Sequence, residues 1–577
     1  MLGSTVSMSR LASIAPALLA LHVAVAAADI IAAPGADAPQ VQSGAIPRVD
    51  IVAPNADGVS LNAYTRFDVD AAGAVLNNAP AGAHSALLGA VAANARLGAG
   101  AAALIVNQVH GAAPSQLRGT LEIAGVPADL VVANTAGIIC DGCGFVHAGR
   151  VALIAGASEY DPMLGRDLRL RVGDGSLRVG PGGLRAAGVA ELDLVARDLA
   201  LHGDVDARVL RLVAGSVGAS AAPRSGAVAI ALDAHAALRG DAITLLATER
   251  GAGVHLGGAL LSAGDISIDA AGDLRLQRAE AARDLQVHAT GDAELGVAMA
   301  ARNLHLHGKR ALRVTGAAGA GQAVDVKAVD LRTAGTALQA GAAMRLVLGD
   351  ALDNRRGRIE AGGALQATLG GSLDNADGRI RSGGNLSVQA TQRIDNVYGD
   401  MQADRSAALR CGDALRNHVG RVRAMAGSLQ IDSDALLDNA HGQLVATRNL
   451  SLRAAALHSD GHAQISGHTV HVRSAALLRN GGRIDASATA LLQAQQFDNL
   501  GGVLSAARDT TIEIDGWLRN GVGVIESRHG DVVLATGGAV LDNRAGALRA
   551  PGGRLISDAL MMVDDRSTVR DRVVVLP

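Results

Sequence analysis

Apolar and polar residues alternate over many short stretches of the chain. The stretches 168–172, 266–269 and 386–388 place an apolar residue at every second position and a polar residue between. Alternation with a period of two predicts β-strands that bury one side-chain face. Gly-Asp or Gly-Gly pairs separate the stretches, and glycine at this density disfavours helices. We therefore expect a chain composed almost wholly of short strands.

A longer pattern is superimposed on the alternation from about residue 345 onward. The phrase Leu-Asp-Asn-x-x-Gly-x-Ile returns with a period of about 21 residues, and a fixed short period of this kind predicts a solenoid. Its asparagines are Asn354, Asn375, Asn396, Asn417, Asn439, Asn480, Asn499, Asn520 and Asn543. In the one long gap, Ser459 stands at the expected midpoint and fills a tenth position.

Two kinds of solenoid have periods near this length. A leucine-rich repeat needs several leucines at fixed offsets and a helical or 3₁₀ return segment, but the return segment here is too rich in glycine. A right-handed parallel β-helix with about three short strands per coil agrees better with the alternation. The predicted fold class is therefore all-β. Roughly 25 coils spaced about 4.8 Å apart would form a rod on the order of 120 Å long.

The repeated phrase has a mechanical interpretation. Its Leu and Ile point into the core, and its Asn-x-x-Gly forms a turn because Asn and Gly tolerate left-handed backbone angles. Asparagines at equivalent positions would stack along the rod into a ladder of amide groups. We therefore interpret these asparagines as structural, rather than as catalytic or ligand-binding residues.

Composition agrees with narrow coils and disfavours several classes of function. The 577 residues include 72 glycines but only one Trp, three Tyr and three Phe, which is few for a globular core of this length. A formal net charge of −3 provides no field that would attract nucleic acid. No GxSxG, Walker-type or HExxH motif occurs. We expect no enzymatic activity, no cofactor and no nucleic-acid partner.

The N-terminus has the features of an export signal. Arg10 precedes a mostly apolar stretch from 11 to 25, and the alanines at 26–28 supply small residues for cleavage. We divide the chain into a signal peptide (1–28), a linker (29–47), a non-repeating β-rich domain (48–165), degenerate β-helix coils (166–344), regular 21-residue repeats (345–560) and a C-terminal tail without a visible cap (561–577).

Five motifs occur in order within the non-repeating domain. The chain reads IVAPNADGVSLNAYTRFDV from residue 51, LIVNQV from 104, SQLRG from 115, LEIAG from 121 and NTAGIICDGCGF from 134. From the first motif to the last, this stretch of sequence resembles the secretion domain of filamentous haemagglutinin-like exoproteins. The downstream repeats resemble haemagglutinin-type repeats of the same family.

The resemblance implies two-partner secretion. In that family an outer-membrane barrel transporter recognises the domain, itself a capped β-helix, in the periplasm and passes the unfolded chain outward. The family motifs Asn-Pro-Asn-Leu and Asn-Pro-x-Gly-Ile fall on 94–97 and 134–138, and both lack the proline here. The retained residues are Asn94, Leu97, Asn134, Gly137 and Ile138. Without proline the turns are less preorganised, so we expect weakened but not abolished recognition.

The pair Cys140 and Cys143 is open to three interpretations. A redox-active pair would precede a helix, and a zinc site would need two further ligands at metal-binding spacing; neither is evident. A local disulfide is the preferred interpretation for an exported protein, with two packed thiols as the alternative. Cys411 stands alone in a repeat, and we expect it to face the core.

Two weaker signals complete the candidate residues. Arg239, Gly240 and Asp241 match an integrin-binding tripeptide, which makes them a weak cell-attachment candidate. Four histidines fall between 458 and 471, but the Asp-Gly pair at 460–461 predicts a turn rather than a metal-binding helix. We expect these histidines to be solvated and predict no metal site.

The leading hypothesis is a secreted or surface-displayed adhesin of the filamentous haemagglutinin type. It would bind a glycan or receptor on a host or neighbouring cell through many weak contacts along a rod. The alternative is the stalk of a contact-dependent growth inhibition toxin, or of a haemolysin-type exoprotein, without its C-terminal effector domain. Because a solenoid needs a cap at each end, the apolar C-terminal run predicts a truncated exoprotein.

Overall fold

The computed structural model describes residues 29–35, 38–98, 100–161, 168–216 and 226–559, and the backbone of strands 561–563 and 573–575. The predicted signal peptide (1–28) lies outside the described residues, as does most of the predicted tail (561–577). Within the described part, the regular elements are strands and one 3₁₀ helix, Ala95–Leu97. Together they form a β-solenoid of about 21 coils, which confirms the predicted all-β fold class.

Each coil of the repeat region carries three strands, one on each of three faces of the rod. Face one carries the Leu-Asp of the repeated phrase, face two carries the following Ile, and face three carries the stretch after Gly-Gly. On every face, a strand pairs in parallel with the equivalent strand of the next coil, as Leu352 does with Leu373, Ile359 with Ile380 and Leu365 with Leu386.

The strand bounds follow this three-face scheme. Face one has Asp330–Arg332, Leu352–Asp353, Leu373–Asp374, Ile394–Asp395, Leu415–Arg416, Leu436–Asp438, Ala456–Ser459, Leu477–Asn480, Val540–Asp542 and Met561–Val563. Face two has Ala337–Ala340, Arg358–Ala361, Arg379–Ser382, Asp400–Ala403, Arg421–Ala424, Gln443–Ala446, Gln464–Gly467, Arg483–Ala486, Val503–Ala506, Val524–Ser527 and Ala547–Arg549. Face three has Met344–Leu348, Leu365–Leu369, Leu386–Ala390, Ala407–Cys411, Leu429–Ser433, Asn449–Ala454, Thr469–Ser474, Val532–Ala535, Leu555–Ser557 and Val573–Val575. Two longer strands run from face three onto face one, Ala490–Asp498 and Thr510–Arg519.

The coils before the regular repeats contain longer strands that bend around the corners of the rod. All the strands of these coils, long and short, are Ser176–Val179, Leu184–Ala196, Asp198–Leu201, Val205–Ala214, Val228–Leu232, Ala237–Ala247, Gly253–Ala270, Leu274–Ala281, Leu285–Ala289, Ala293–Ala300, Leu304–Gly308, Ala311–Val314, Ala317–Ala320 and Val324–Ala328. Several coils here are shorter than those of the repeats, because Ile266 pairs with Leu285, Leu285 with Leu304 and Leu304 with Val324. From about residue 254 to 344, the coils that we expected to be degenerate therefore stack regularly, at a shorter period.

The first part of the solenoid has a cap and an outer cover. Its strands are Ile30–Ala32, Gln40–Gln42, Arg48–Asp50, Val59–Phe67, Ala74–Asn78, Ala83–Ser85, Gly89–Val91, Leu104–Val109, Ser115–Leu117, Thr120–Gly125, Ala128–Asn134, Ile138–Cys140, Cys143–Val146, Ala148–Ile154, Ala157–Tyr160 and Leu168–Arg171. Ile30–Ala32 pairs antiparallel with Val59–Phe67, whereas the strands within the stacked coils pair in parallel. An antiparallel hairpin, 157–160 with 168–171, contributes Tyr160, Leu168 and Leu170 to an apolar cluster outside the coils. Because these segments use chain without adding coils, the coil number falls below the roughly 25 that we expected.

Aliphatic side chains stacked coil upon coil fill the interior. One hydrophobic cluster extends from Ile30 to Leu555, and every second residue of a typical strand is buried, as in Leu386–Ala390. Burying one such Leu, Ile or Val side chain stabilises the fold by about 1.5–3 kcal/mol. The few aromatic rings in the core include Tyr64 and Phe67 near the N-terminal cap and Phe497 in the repeats. The interior is thus narrow and aliphatic, as the composition predicts.

The asparagines of the repeated phrase form a buried amide ladder. In each step the Nδ2 of one asparagine donates to the Oδ1 of the next, over 2.7 Å for Asn354 to Asn375, Asn375 to Asn396 and Asn396 to Asn417. The same 2.7 Å step continues from Asn417 to Asn439, and then from Asn480 through Asn499 and Asn520 to Asn543. All nine side chains are 0% exposed, and hydrogen bonding is what makes the burial of so many amides favourable.

The turn itself differs from our expectation about left-handed backbone angles. The phrase's Asn and Gly do not carry them; the residue just before the Gly does, with φ of 55° at Asp377, Tyr398 and Val419. The Gly is required by close approach, because a Cβ on Gly378 would lie 2.3 Å from the carbonyl oxygen of Asn354. The Asn is required for its side-chain amide, and the glycine for its lack of a side chain.

Removing one rung of the ladder should destabilise the rod. In Asn396→Ala, Asn417 Oδ1 loses its Asn396 donor and Asn375 Nδ2 loses its Asn396 acceptor. We expect a loss of about 2–4 kcal/mol in the free energy of unfolding, measured by chemical denaturation. The control is Gln389→Ala, which truncates an exposed side chain on face three and should change stability by less than about 0.5 kcal/mol. Equal stability of both variants would contradict a stabilising role for the ladder.

The ladder has a gap at Ser459 that substitution should repair. Ser459 pairs with Asn480 across the coils and is 0% exposed, but its Oγ and the Asn480 Oδ1 have no hydrogen-bond partner in the described structure. In Ser459→Asn, an amide can donate to Asn480 Oδ1 and accept from Asn439 Nδ2. We expect a gain of about 1–2 kcal/mol in chemical denaturation. A loss of stability, or none gained over Ser459→Ala, would show that this position cannot hold an amide.

Candidate secretion motifs and attachment residues

The first candidate motif closes a turn beside the N-terminal cap. Asn94 Nδ2 donates to the carbonyl oxygens of Ile51 (2.9 Å) and Asn77 (3.0 Å), and its Oδ1 accepts from Arg96 N (3.0 Å). The residue has extended backbone angles, φ −80° and ψ 102°, and precedes the 3₁₀ helix that begins at Ala95. Leu97 is 4% exposed and belongs to the core. The motif therefore ties the segment just after strand Arg48–Asp50 to strand Ala74–Asn78 and anchors the helix.

The second candidate motif joins two strands of consecutive faces. Asn134 Nδ2 donates to the carbonyl oxygen of Ala113 and to Ser115 Oγ, both over 3.0 Å. Gly137 has a φ of 113°, and a Cβ there would lie 2.7 Å from the carbonyl oxygen of Ser176. Ile138 is 0% exposed and begins the next strand. Glycine is thus required both by the backbone angle and by the neighbouring coil.

The second motif shares its turn with the repeats. Gly137 N donates to the carbonyl oxygen of Asn134 over 3.1 Å, and Gly357 N donates in the same way to Asn354 over 3.0 Å. In both motifs the asparagine side chain is buried, 2% exposed at Asn94 and 0% at Asn134. In the folded domain, neither amide can therefore contact a partner protein directly.

The structure joins Cys140 and Cys143 in a disulfide at the turn between two strands, with their Cα atoms 5.5 Å apart. Both residues are buried in the solenoid core. Cys411 is also buried in the core, and this burial raises the pKa of its thiol. Its Sγ lies 3.1 Å from the carbonyl oxygen of Asp413.

The candidate attachment tripeptide lies in a strand, Ala237–Ala247, rather than in a projecting loop. The Arg239 guanidinium pairs with Asp204 over 2.7 Å and with Asp206 over 3.4 Å. This contact lowers the pKa of the Asp204 carboxyl and raises the pKa of Arg239. Asp241 pairs with Arg208 of the preceding coil over 3.6 Å. Both charged groups thus bind neighbouring coils of the same chain.

Of the four histidines expected to be solvated, His462, His468 and His471 are exposed. His458 is partly buried and lies 3.0 Å from an Asp460 carboxylate oxygen. His462 belongs to a column of rings at the repeat turns, in which the centroids of His418 and His441 are 5.8 Å apart and those of His441 and His462 are 6.2 Å apart. Within the described part of the chain, no group of three or more His, Cys, Asp or Glu side chains could hold a metal ion.

Thr333 and Glu122 are two of several buried polar residues that the sequence motifs do not include. Thr333 Oγ1 donates to Asn354 Oδ1 over 2.9 Å and so begins the amide ladder one coil before its first asparagine. Glu122 is 0% exposed, and its carboxylate accepts from Ser85 Oγ (2.7 Å) and Ala86 N (2.7 Å) of the hairpin 83–91. Counting one repeat period back from Asn354 would have identified Thr333. No local signal marks Glu122, because its partners are distant from it along the chain.

Among the described residues, no helix has the length and apolar character needed to cross a membrane. The structure instead presents a capped first segment that continues without a break into the rod. Parallel pairings connect the strands on both sides of residue 165, as between 150–154 and 191–195.

Comparison with known proteins identifies both parts of the chain. Residues 32–276 match the family model described as the TPS secretion domain. The model described as the haemagglutinin repeat matches four overlapping or adjacent segments, 281–355, 337–418, 424–494 and 478–559. The secretion-domain match extends well past residue 165, into the shorter coils that precede the regular repeats.

Three similar proteins show the range of the relatives. The toxin CdiA of Yersinia pestis is 36% identical over 258 residues, which is 42% of this chain and 8% of the relative. A hemolysin of Serratia marcescens is 34% identical over 280 residues, 45% of this chain and 17% of the relative. The crystal structure of a filamentous hemagglutinin secretion domain is 29% identical, with a TM-score of 0.40, and the match covers 50% of this chain and 95% of that one.

The matched segments span less than a fifth of the length of these two sequence relatives. The two family models, however, follow one another from residue 32 to residue 559 with only short gaps. This order of secretion domain and repeats agrees with the capped solenoid of the structure. The chain therefore belongs to the filamentous haemagglutinin family of exoproteins, which leave the cell by two-partner secretion through an outer-membrane transporter.

Proposed function

We propose that this chain forms the rod of a secreted or surface-displayed adhesin. The observation that carries the proposal is the unbroken stacking of coils from the secretion domain into the repeats. Such a rod presents the same kind of surface many times along its length, so weak contacts to a host or neighbouring cell can combine into avidity. The role of the rod is display, and the proposal includes no catalysis.

A second candidate function is the stalk of a contact-dependent growth inhibition toxin or of a haemolysin-type exoprotein. Relatives with the names "Toxin CdiA" and "Hemolysin" match this chain at 36% and 34% identity. Both functions use the same export and the same rod. They differ in what lies beyond the matched segment and in the kind of cell that is contacted.

We also propose that the transporter recognises the two asparagine motifs before the secretion domain folds. The support is the burial of Asn94 and Asn134, whose amides bind backbone carbonyl groups of the same domain. An unfolded segment exposes both amides, and folding after export hides them. Recognition then depends on how readily each motif forms a turn while the chain around it is still unfolded. The missing prolines affect this turn formation.

Restoring the prolines should raise export. Ala95 is the first residue of the 3₁₀ helix and follows an extended Asn94, a geometry that proline favours. In a strain that carries the cognate transporter, we expect Ala95→Pro with Thr135→Pro to increase the secreted yield about two- to fivefold, the ratio for a few tenths to one kcal/mol. The secreted yield is measured by quantitative immunoblotting of the medium and of the periplasm.

The matched control is Ala95→Ser with Thr135→Ser, which changes the same positions without restricting the backbone. An equal yield from the wild type and the proline variant would contradict recognition of preorganised turns. A low yield with misfolded protein in the medium would instead identify a folding defect after export, which circular dichroism of the secreted fraction detects.

Adhesion itself can be tested with the purified chain. Beads coated with it should bind epithelial cells or bacterial cells several-fold more than beads coated with albumin, because many coils face the cell at once. Beads that carry few molecules should lose most of this binding. Failure to bind either cell type at high coating density would contradict the adhesin proposal, and binding to bacterial cells alone would favour the toxin stalk.

A further inference from the structure

A groove of about 750 Å³ follows one edge of the rod in the coils of the secretion-domain match. It lies at the corner between face two and face three. Its floor consists of small residues, Ala207, Gly240, Ser262 and Ala281, contributed by successive coils. Gly240 is in register with Ser262, and Ser262 with Ala281, so the floor runs parallel to the rod axis.

Charged side chains form the two walls of the groove. Asp206, Arg239 and Glu280 precede the floor residues, whereas Arg208 and Asp241 follow them. The candidate attachment tripeptide therefore has its Arg on one wall, its Gly on the floor and its Asp on the other wall. This placement gives the tripeptide a role in a groove rather than in a loop.

A second, separate cavity of about 470 Å³ lies at the same corner farther along the rod. Ala281 is in register with Ala300, Ala300 with Ala320, and Ala320 with Ala340, which lines the second cavity. The second cavity again combines a floor of Ala and Gly with Gln339, Glu360 and Arg381 on its wall. The first cavity is itself lined by five successive coils, from Ala187 to Ala282, so it is elongated along the rod axis, a shape that fits a linear polymer rather than a compact ligand.

The charges of the groove disfavour a polyanion. Its walls carry three carboxylates, Asp206, Asp241 and Glu280, and two guanidinium groups, Arg208 and Arg239, a formal balance of −1. Binding of nucleic acid or a sulfated chain relies on an excess of positive charge. The groove has none.

The backbone of the groove disfavours a peptide strand. Peptides commonly bind a solenoid or sheet by adding a strand to a free edge. The strands at this corner are already paired on both sides: Ala237–Ala247 pairs with 205–214 and with 259–270, and Gly253–Ala270 pairs also with 274–281. A ligand must therefore bind through side chains.

We propose that this groove binds an uncharged linear polysaccharide that lies along the rod axis. The proposal rests on the adhesin function and gives it a ligand class and a place. Carboxylates accept hydrogen bonds from sugar hydroxyls and guanidinium groups donate to them. The small floor residues let sugar rings approach the backbone closely.

The wall groups are oriented by weak pairs that a ligand can replace. Arg239 bonds Asp204 and Asp206, Arg208 pairs with Asp241, and the Glu280 carboxylate lies 2.7 Å from Arg278. The side chains of the Arg208–Asp241 pair are 65% and 63% exposed, and exposed pairs contribute little stability. Replacing these ion pairs by hydrogen bonds to sugar hydroxyl groups therefore costs little free energy. The binding at each coil is weak, but repetition along a chain of sugars compensates for this.

The test uses the full chain, with cellohexaose and chitohexaose as uncharged probes and a heparin dodecasaccharide as the polyanion. Binding is measured by isothermal titration calorimetry, and the site is mapped by photo-crosslinking with diazirine-labelled hexaoses. We expect crosslinks in 206–208, 239–241, 261–263 and 280–282. Glu280→Gln and the groove-blocking Ala263→Trp should each reduce the affinity for the crosslinking site about tenfold or more.

The matched controls lie away from the groove. Glu294→Gln and Ala408→Trp alter exposed residues outside the groove and should leave the affinity unchanged. Crosslinks elsewhere, no binding of either hexaose, or preferential binding of heparin would overturn the groove proposal. Cell binding by coated beads distinguishes this failure from failure of the adhesin function, since beads that still bind cells leave that function intact.

Discussion

The backbone hydrogen bonds between successive coils are the interaction on which the rest of the structure depends. Each strand bonds the equivalent strand before and after it, so every coil must present its strands at the same three places. Coil lengths nevertheless vary, and the corners absorb the difference. Ala403 pairs with Ala424, 21 residues later, but Ala407 pairs with Leu429, 22 residues later. The one extra residue therefore lies at the corner between faces two and three, where Met425 is exposed at the surface. The strands on either side of it remain in register.

The amide ladder is the side-chain counterpart of this backbone bonding. It provides hydrogen-bond donors and acceptors at a corner where the chain turns and where the strands provide none. The second secretion motif uses the same arrangement, an asparagine that closes a turn and a glycine that lets the next coil approach, at Asn134 and Gly137. The secretion domain and the rod thus share one kind of turn. This explains how a domain recognised by a transporter continues into the rod without a change of architecture.

The sequence predicts those structural features that follow from its repeats and from its alternation of apolar and polar residues. The fold class, the inward Leu and Ile positions and the stacking of the asparagines follow from the period and from the two-residue alternation. Other features depend on register between distant residues. The shorter coils before 345 lack the repeated asparagine phrase, so the 21-residue period does not extend to them. The positive φ belongs to Asp377 and Tyr398, not to the neighbouring Gly, because the ladder and the crowding at the glycine decide the path of the chain.

The candidate site residues show the same limit. Resemblance locates Asn94 and Asn134, but only the structure shows that both amides are buried. The tripeptide at 239–241 is visible as a motif, but its neighbours in the groove, such as Asp206 and Ser262, belong to the coils before and after it. The spacing of residues in the sequence cannot reveal which residues of different coils become neighbours, because that depends on the length of each intervening coil.

The stacking of coils along the axis also has a mechanical consequence. A pull on one end of the rod loads the bonds of the terminal coil first, because each coil contacts only its neighbours. The rod therefore yields one coil at a time instead of breaking as a whole. Each released coil of about 21 residues lengthens the tether by roughly 70 Å, against about 4.8 Å when stacked. A cell held by such a rod would be attached through an extensible cable that absorbs a sudden force by lengthening.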